Sequence, residues 1–148
     1  MNELEQRLSD PARTAARSTG DPAKTRAFAI DAAVSLRGDK CEDVVVLDVR
    51  ELSPVTDYIV IGTGTSDRQM KAALSHVEDV GEEDGFKRFG AHADERATWL
   101  LADFIDVVVH VFEPNARAHY DLEMLWGDAP RLPVPEPTRD DGKKAGGA

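Results

Sequence analysis

The run from Asp106 to Phe112, DVVVHVF, restricts the chain more than any other stretch. Val107, Val108, Val109, Val111 and Phe112 are β-branched or aromatic with no polar alternation, which suits a strand covered on both faces. His110 alone interrupts it. Pro114 follows at a first helical position, where its missing N–H is not needed, and Ala116, Tyr120, Glu123 and Met124 recur on one side of a helix expected to end near Trp126 and Gly127. A buried strand feeding a helix calls for a layered α/β domain.

The upstream sequence supplies the layers. Asp21-Pro22 is a helix start, and Ala23, Ala27, Ile30, Ala33, Val34 and Arg37 trace a 3.6-residue stripe up to Gly38. Val44 to Val49 and Tyr58 to Gly62 read as strands, separated by a turn through Ser53 and Pro54. Ser66 and Gln69 form a capping box, and Met70, Ala73, Leu74, Val77 and Val80 give the next helix a buried face that Gly85 terminates. Phe86 to Phe89 is expected as a short strand, Gly90 to Arg96 as a loop, and Thr98 to Ala102 as a strand returning through Asp103 and Asp106 into the valine run as a hairpin. The fold class is α/β, a single small domain with a mixed β-sheet flanked by helices.

The domain is placed at residues 21–131. Residues 1–20 read as a polar arm with no assigned function, and 132–148, with Pro133, Pro135, Pro137 and a Gly-rich end, as a flexible tail. A chain of 148 residues suffices for one core. The net charge of −10, from 28 acidic against 18 basic residues, argues against direct nucleic-acid binding or an anionic membrane surface and toward a basic partner. No apolar run approaches the roughly 20 residues of a membrane span. Cys41 is the single cysteine, so no internal disulfide forms, and the expected location is the cytoplasm.

Candidate chemistry is sparse. Gly62 to Asp67 lies before a helix N-terminus but lacks the lysine of a phosphate loop. A nucleotidyl- or phosphoryl-transfer enzyme built on that turn is the alternative reading, and it needs paired carboxylates for Mg²⁺. Asp48 stands alone in its strand, while Asp103 and Asp106 flank a turn. His76, His92, His110 and His119 show no metal-ligand spacing. No cofactor or metal is expected, and catalytic residues are none. What remains is a partner-binding surface of polar-tipped aromatics beside acids: Asp57, Tyr58, Trp99, Asp103, Asp106, His110 and Tyr120. A homodimer through a sheet edge is a third reading.

DYIVIGTGTSDRQM from Asp57 to Met70, LDVRELSPVTDY from Leu47 to Tyr58, and the VVVHVF and YDLEMLWGDAP blocks before Arg131 resemble the ribosomal silencing factor, or Iojap, family. The resemblance covers roughly Asp21 to Arg131. It implies a nucleotidyltransferase-like fold without its catalytic carboxylates, and a factor that is not an enzyme. It also implies a partner: the large ribosomal subunit, bound through its fourteenth L-protein so that the small subunit is blocked and translation repressed. It makes His110 a candidate contact. Two departures stand out: the family's Gly-Asp before the valine run is here Ile105-Asp106, and the loop from Ala91 to Thr98 lacks the family's Glu-Gly before its Trp.

Overall fold

The structure, a computed structural model, describes residues 10–17 and 20–137. Among these residues eleven elements follow in order: α1 (Pro11–Ala15), α2 (Pro22–Gly38), β1 (Glu42–Asp48), β2 (Tyr58–Thr63), α3 (Asp67–Asp84), β3 (Gly90–Ala93), β4 (Trp99–Asp103), β5 (Val107–Phe112), α4 (Pro114–Tyr120), α5 (Leu122–Leu125) and β6 (Arg131–Leu132). The strands form one sheet in the order β3-β4-β5-β2-β1-β6. Among the described strands, β2 and β5 alone pair in parallel, Tyr58 opposite Val107 through Thr63 opposite Phe112. The α/β domain with a mixed sheet therefore holds, and the valine run is a central strand buried along its whole length.

The period-two alternation of β5 divides the core. Val107, Val109 and Val111 join Tyr58, Val60, Phe28, Leu36, Met70 and Val77 in the layer covered by α2 and α3. Phe112 joins Ile59, Ile61, Leu47, Ala116 and Leu122 on the opposite face, with Trp99 and Trp126 at its margin. Both long helices start as the sequence indicates. Asp21 accepts the Ala23 N–H at 2.9 Å, and Ser66 Oγ accepts the Gln69 N–H at 3.1 Å. Gly85, at φ +85°, closes α3 in the left-handed conformation while the Phe86 N–H reaches the Gly81 carbonyl at 2.6 Å. No helix among the described residues is long and apolar enough to cross a membrane.

Three expectations are corrected. The edge strand is Gly90–Ala93, paired with β4, not Phe86–Phe89. Phe86 instead stacks on Phe28 at 4.7 Å, so packing takes it out of the sheet. The last helix is broken: Asp121 adopts φ +45°, ending α4 and starting α5 in a new direction, so Tyr120 and Met124 are exposed while Ala116 and Leu122 carry the buried side. Finally, the body continues past Arg131, where a tail was expected to begin. Leu132 pairs with Val46, Val134 packs on the core, and the Val134 carbonyl accepts from Arg37 Nη1 at 2.7 Å. The rest of the expected tail, from residue 138, and residues 1–9 of the arm lie outside the described residues.

Candidate partner-binding site

Along β4 the side chains of Trp99, Leu101 and Asp103 point to one face of the sheet, opposite Phe112, His110 and Val108 of β5. The aromatic end of this row is a cluster. Trp99 lies 5.2 Å from Phe112, 5.8 Å from His110 and 4.6 Å from Tyr120, centroid to centroid. Trp99 Nε1–H donates to His110 Nδ1 at 3.0 Å. That bond places the proton of the neutral imidazole on Nε2. Full burial pushes the His110 pKa down to about 3, so the ring stays neutral and locks the indole in place.

Beside this cluster the broken helix presents apolar surface. Tyr120 is 41% exposed, Met124 75% and Leu125 62%. Their placement depends on a clamp: Arg117 donates from Nε to Glu123 at 2.9 Å and from Nη1 to the Asp43 carbonyl and Thr63 hydroxyl at 2.7 Å each, with Arg131 on the other Glu123 oxygen at 3.2 Å. The hydrogen bond from Arg117 holds the Glu123 carboxyl below the usual carboxylate range. Arg117 thus pins the α4 side of the Asp121 break onto β1 and β2, and both Arg117 and Arg131, the latter from β6, hold Glu123 on the α5 side.

At the other end of the row lie the acids. Arg13 of α1, 1% exposed, donates to Asp103 from Nε at 2.7 Å and from Nη2 at 3.0 Å. The same guanidinium donates to the carbonyls of Ile105, at 2.6 Å, and Val55. Arg17 contacts Asp57 at 2.9 Å and Asp106 at 2.9 Å. Ile105 sits between these acids at φ +74°, with the Asp106 N–H bonded to the Phe104 carbonyl at 2.9 Å. The unusual residue in this turn takes a backbone conformation that favours glycine, yet the hairpin register from Trp99 opposite Phe112 to Asp103 opposite Val108 is unbroken.

The structure therefore splits the seven candidate residues. Trp99 and Tyr120 touch and reach the surface, with His110 beneath them. Tyr58, Asp103, Asp106 and His110 are buried, so none of the four presents a side-chain surface to a partner in this conformation, and Asp57 is engaged by Arg17. Sequence patterning alone missed Met124 and Leu125, because it drew one continuous helix through Asp121. It also missed Arg13 and Arg17. A signal for these was present: Asp10-Pro11 repeats the Asp21-Pro22 helix start, and the two arginines stand four residues apart, on one side of a helix.

The Gly62 to Asp67 turn is occupied by its own contacts. The Gly64 N–H donates to the Phe112 carbonyl at 2.7 Å and the Thr65 N–H to Gln69 Oε1 at 2.9 Å. A side chain at Gly64 would fall 2.2 Å from Met70 Cγ, so the glycine answers to packing against α3.

Comparison with known proteins gives a consistent set of matches. Residues 22–147 match the profile of the family described as ribosomal silencing factor during starvation. A ribosomal silencing factor of Bacillus subtilis is 40% identical over 99 residues, covering 67% of this chain and 84% of that protein. The mouse protein named mitochondrial assembly of ribosomal large subunit protein 1 is 36% identical over 106 residues, covering 67% of this chain and 45% of its own. A crystal structure of a Chromobacterium violaceum protein superposes with a TM-score of 0.64 at 33% identity, covering 80% of this chain and 92% of that one.

Proposed function

The chain belongs to the ribosomal silencing factor family, and from that premise we propose that it binds the large ribosomal subunit and sterically keeps the small subunit from joining it, repressing translation in the cytoplasm. The observation that carries this reading is the exposed group formed by Tyr120 on Trp99, with Met124 and Leu125 five residues or fewer away in the chain. Large apolar and aromatic side chains held rigidly at a surface are the anchors of protein interfaces. The Trp99–His110 bond and the Arg117–Glu123–Arg131 clamp supply the rigidity. The partner surface is the basic fourteenth protein of the large subunit, the one implied by the family resemblance, and the net charge of −10 favours its approach.

This mechanism is steric and needs no cofactor or catalysis. The domain need only stay bound where the small subunit would dock. The alternative, a nucleotidyl- or phosphoryl-transfer enzyme, meets two obstacles: the turn it would use spends the Gly64 and Thr65 N–H groups internally, and Asp103 and Asp106 face arginines. Titration with Mg²⁺-nucleotide in a calorimeter is expected to give no heat.

Co-sedimentation with purified large subunits tests the reading. Wild type should travel with the subunit, whereas Tyr120→Ala and Met124→Glu, both surface changes, should remain near the top of the gradient. A folded wild-type protein that never enters the large-subunit peak would refute the assignment.

A further inference from the structure

The family profile begins at residue 22, so the Asp10–Arg17 segment lies outside the matched region while the acids it contacts lie inside it. This segment sits on the sheet face that carries the proposed contact. Asp103 and Trp99 are the two ends of β4 and point to the same side, and Arg13 covers the Asp103 end. We infer that the Asp10–Arg17 segment is a releasable strap, which holds the acidic end of this face by two arginines and competes there with an arginine-bearing segment of the ribosomal partner.

The chemistry of the seat is specific for a guanidinium. From this guanidinium the Asp103 carboxylate accepts the Nε and Nη2 N–H groups, Nη2 donates as well to the Ile105 carbonyl, and Nη1 donates to the Val55 carbonyl. A planar fork satisfies all of these at once, and an ammonium does not. Beside it, Asp57 and Asp106 form a second, half-open seat for Arg17. Two arginine seats side by side in an acidic notch suit a basic ribosomal protein as well as they suit the chain's own segment.

The strap is built to come off. At five residues α1 is far too short to persist without docking. Its Asp10 cap and Pro11 set the helix, but Arg13 is its one buried residue. Beyond its last turn, a cleft of about 460 Å³ is lined by Ala16, Asp21 and the Phe104–Asp106 turn, so the Ala16 end of the segment is not packed against the body. When the strap lifts, Asp103 meets water, and the carboxylate is not left buried without a partner.

This inference rests on the ribosome reading, and one experiment separates the two. Binding to purified large subunits is measured for wild type, for the full-length Arg13→Ala/Arg17→Ala variant, and for that variant with excess peptide of residues 10–17. The variant is expected to bind at least about fivefold more tightly, a modest coupling between sites, and the peptide to reverse the gain. Equal affinity of wild type and variant would overturn the strap while leaving the ribosome reading intact. Binding by neither form would overturn both. Should the double variant fail a circular-dichroism folding check, Arg17→Ala alone keeps Asp103 paired and must still show part of the gain.

Discussion

Arg13 and Asp103 stand ninety positions apart in the chain and meet through two hydrogen bonds, at 2.7 and 3.0 Å, in a site closed to solvent. An arm with no evident role in the sequence thus completes the hairpin end of the central sheet. Arg13→Ala should lower stability to urea by about 1–3 kcal/mol, the range for charge-assisted hydrogen bonds once the freed carboxylate can hydrate. Arg13→Lys should recover less than half of that loss, because one ammonium cannot serve a carboxylate and two carbonyls in fork geometry.

His110 carries a pH signature. Its folded pKa, pushed down to about 3 by burial, lies below the ordinary histidine value of 6.5. As pH falls through that window the unfolded chain takes up a proton that the folded chain refuses, so stability drops from about pH 6.5 downward. Nitrogen chemical shifts of this ring should show a neutral imidazole with Nε2 protonated at pH 5. Trp99→Phe, which removes the donor to Nδ1, should cost about 1–2 kcal/mol and loosen Tyr120.

Asp31 on α2 has the opposite signature. Although the residue is exposed, partial desolvation of its carboxyl and then the neighbouring Asp84 raise its pKa from 3.8 to about 6. Above pH 6 both folded and unfolded carboxyls are charged and the penalty is fully present; it fades as pH falls toward 3.8. Asp31→Asn should therefore stabilise the protein at pH 7, by roughly 0.5 kcal/mol after solvent screening at this exposed position, and have no effect near pH 4. Thermal melts at the two values check the sign.

Ile105 is the strained link between the two acidic seats. A β-branched residue at φ +74° costs of order 1–3 kcal/mol, and glycine removes that penalty while adding backbone freedom to the unfolded chain. Ile105→Gly should raise the melting temperature by a few degrees and leave the contacts to its carbonyl in place.

The fold was legible wherever a local pattern coincided with a buried face. β5, α2 and α3 announce themselves by β-branched content, helical stripes and caps, and their partners in the sheet follow. Phe86 and Asp121 were not legible, since one is removed from the sheet by a stack on Phe28 and the other breaks a continuous helical pattern by a single backbone angle. For the site, Trp99 and Tyr120 follow from residue type, but whether an acid faces solvent or an arginine ninety residues away is a matter of long-range pairing. Asp103 and Asp106 therefore looked like surface acids. The Asp10-Pro11 start gave notice of a helix there, though not of where it docks.

The most direct test is the joining of purified large and small subunits, followed by light scattering as the protein is titrated. Wild type should suppress joining and saturate near one copy per large subunit, while Tyr120→Ala should need on the order of tenfold more protein for half the effect, as expected for a central aromatic anchor. Unchanged joining at saturating concentrations of folded wild-type protein would contradict the account.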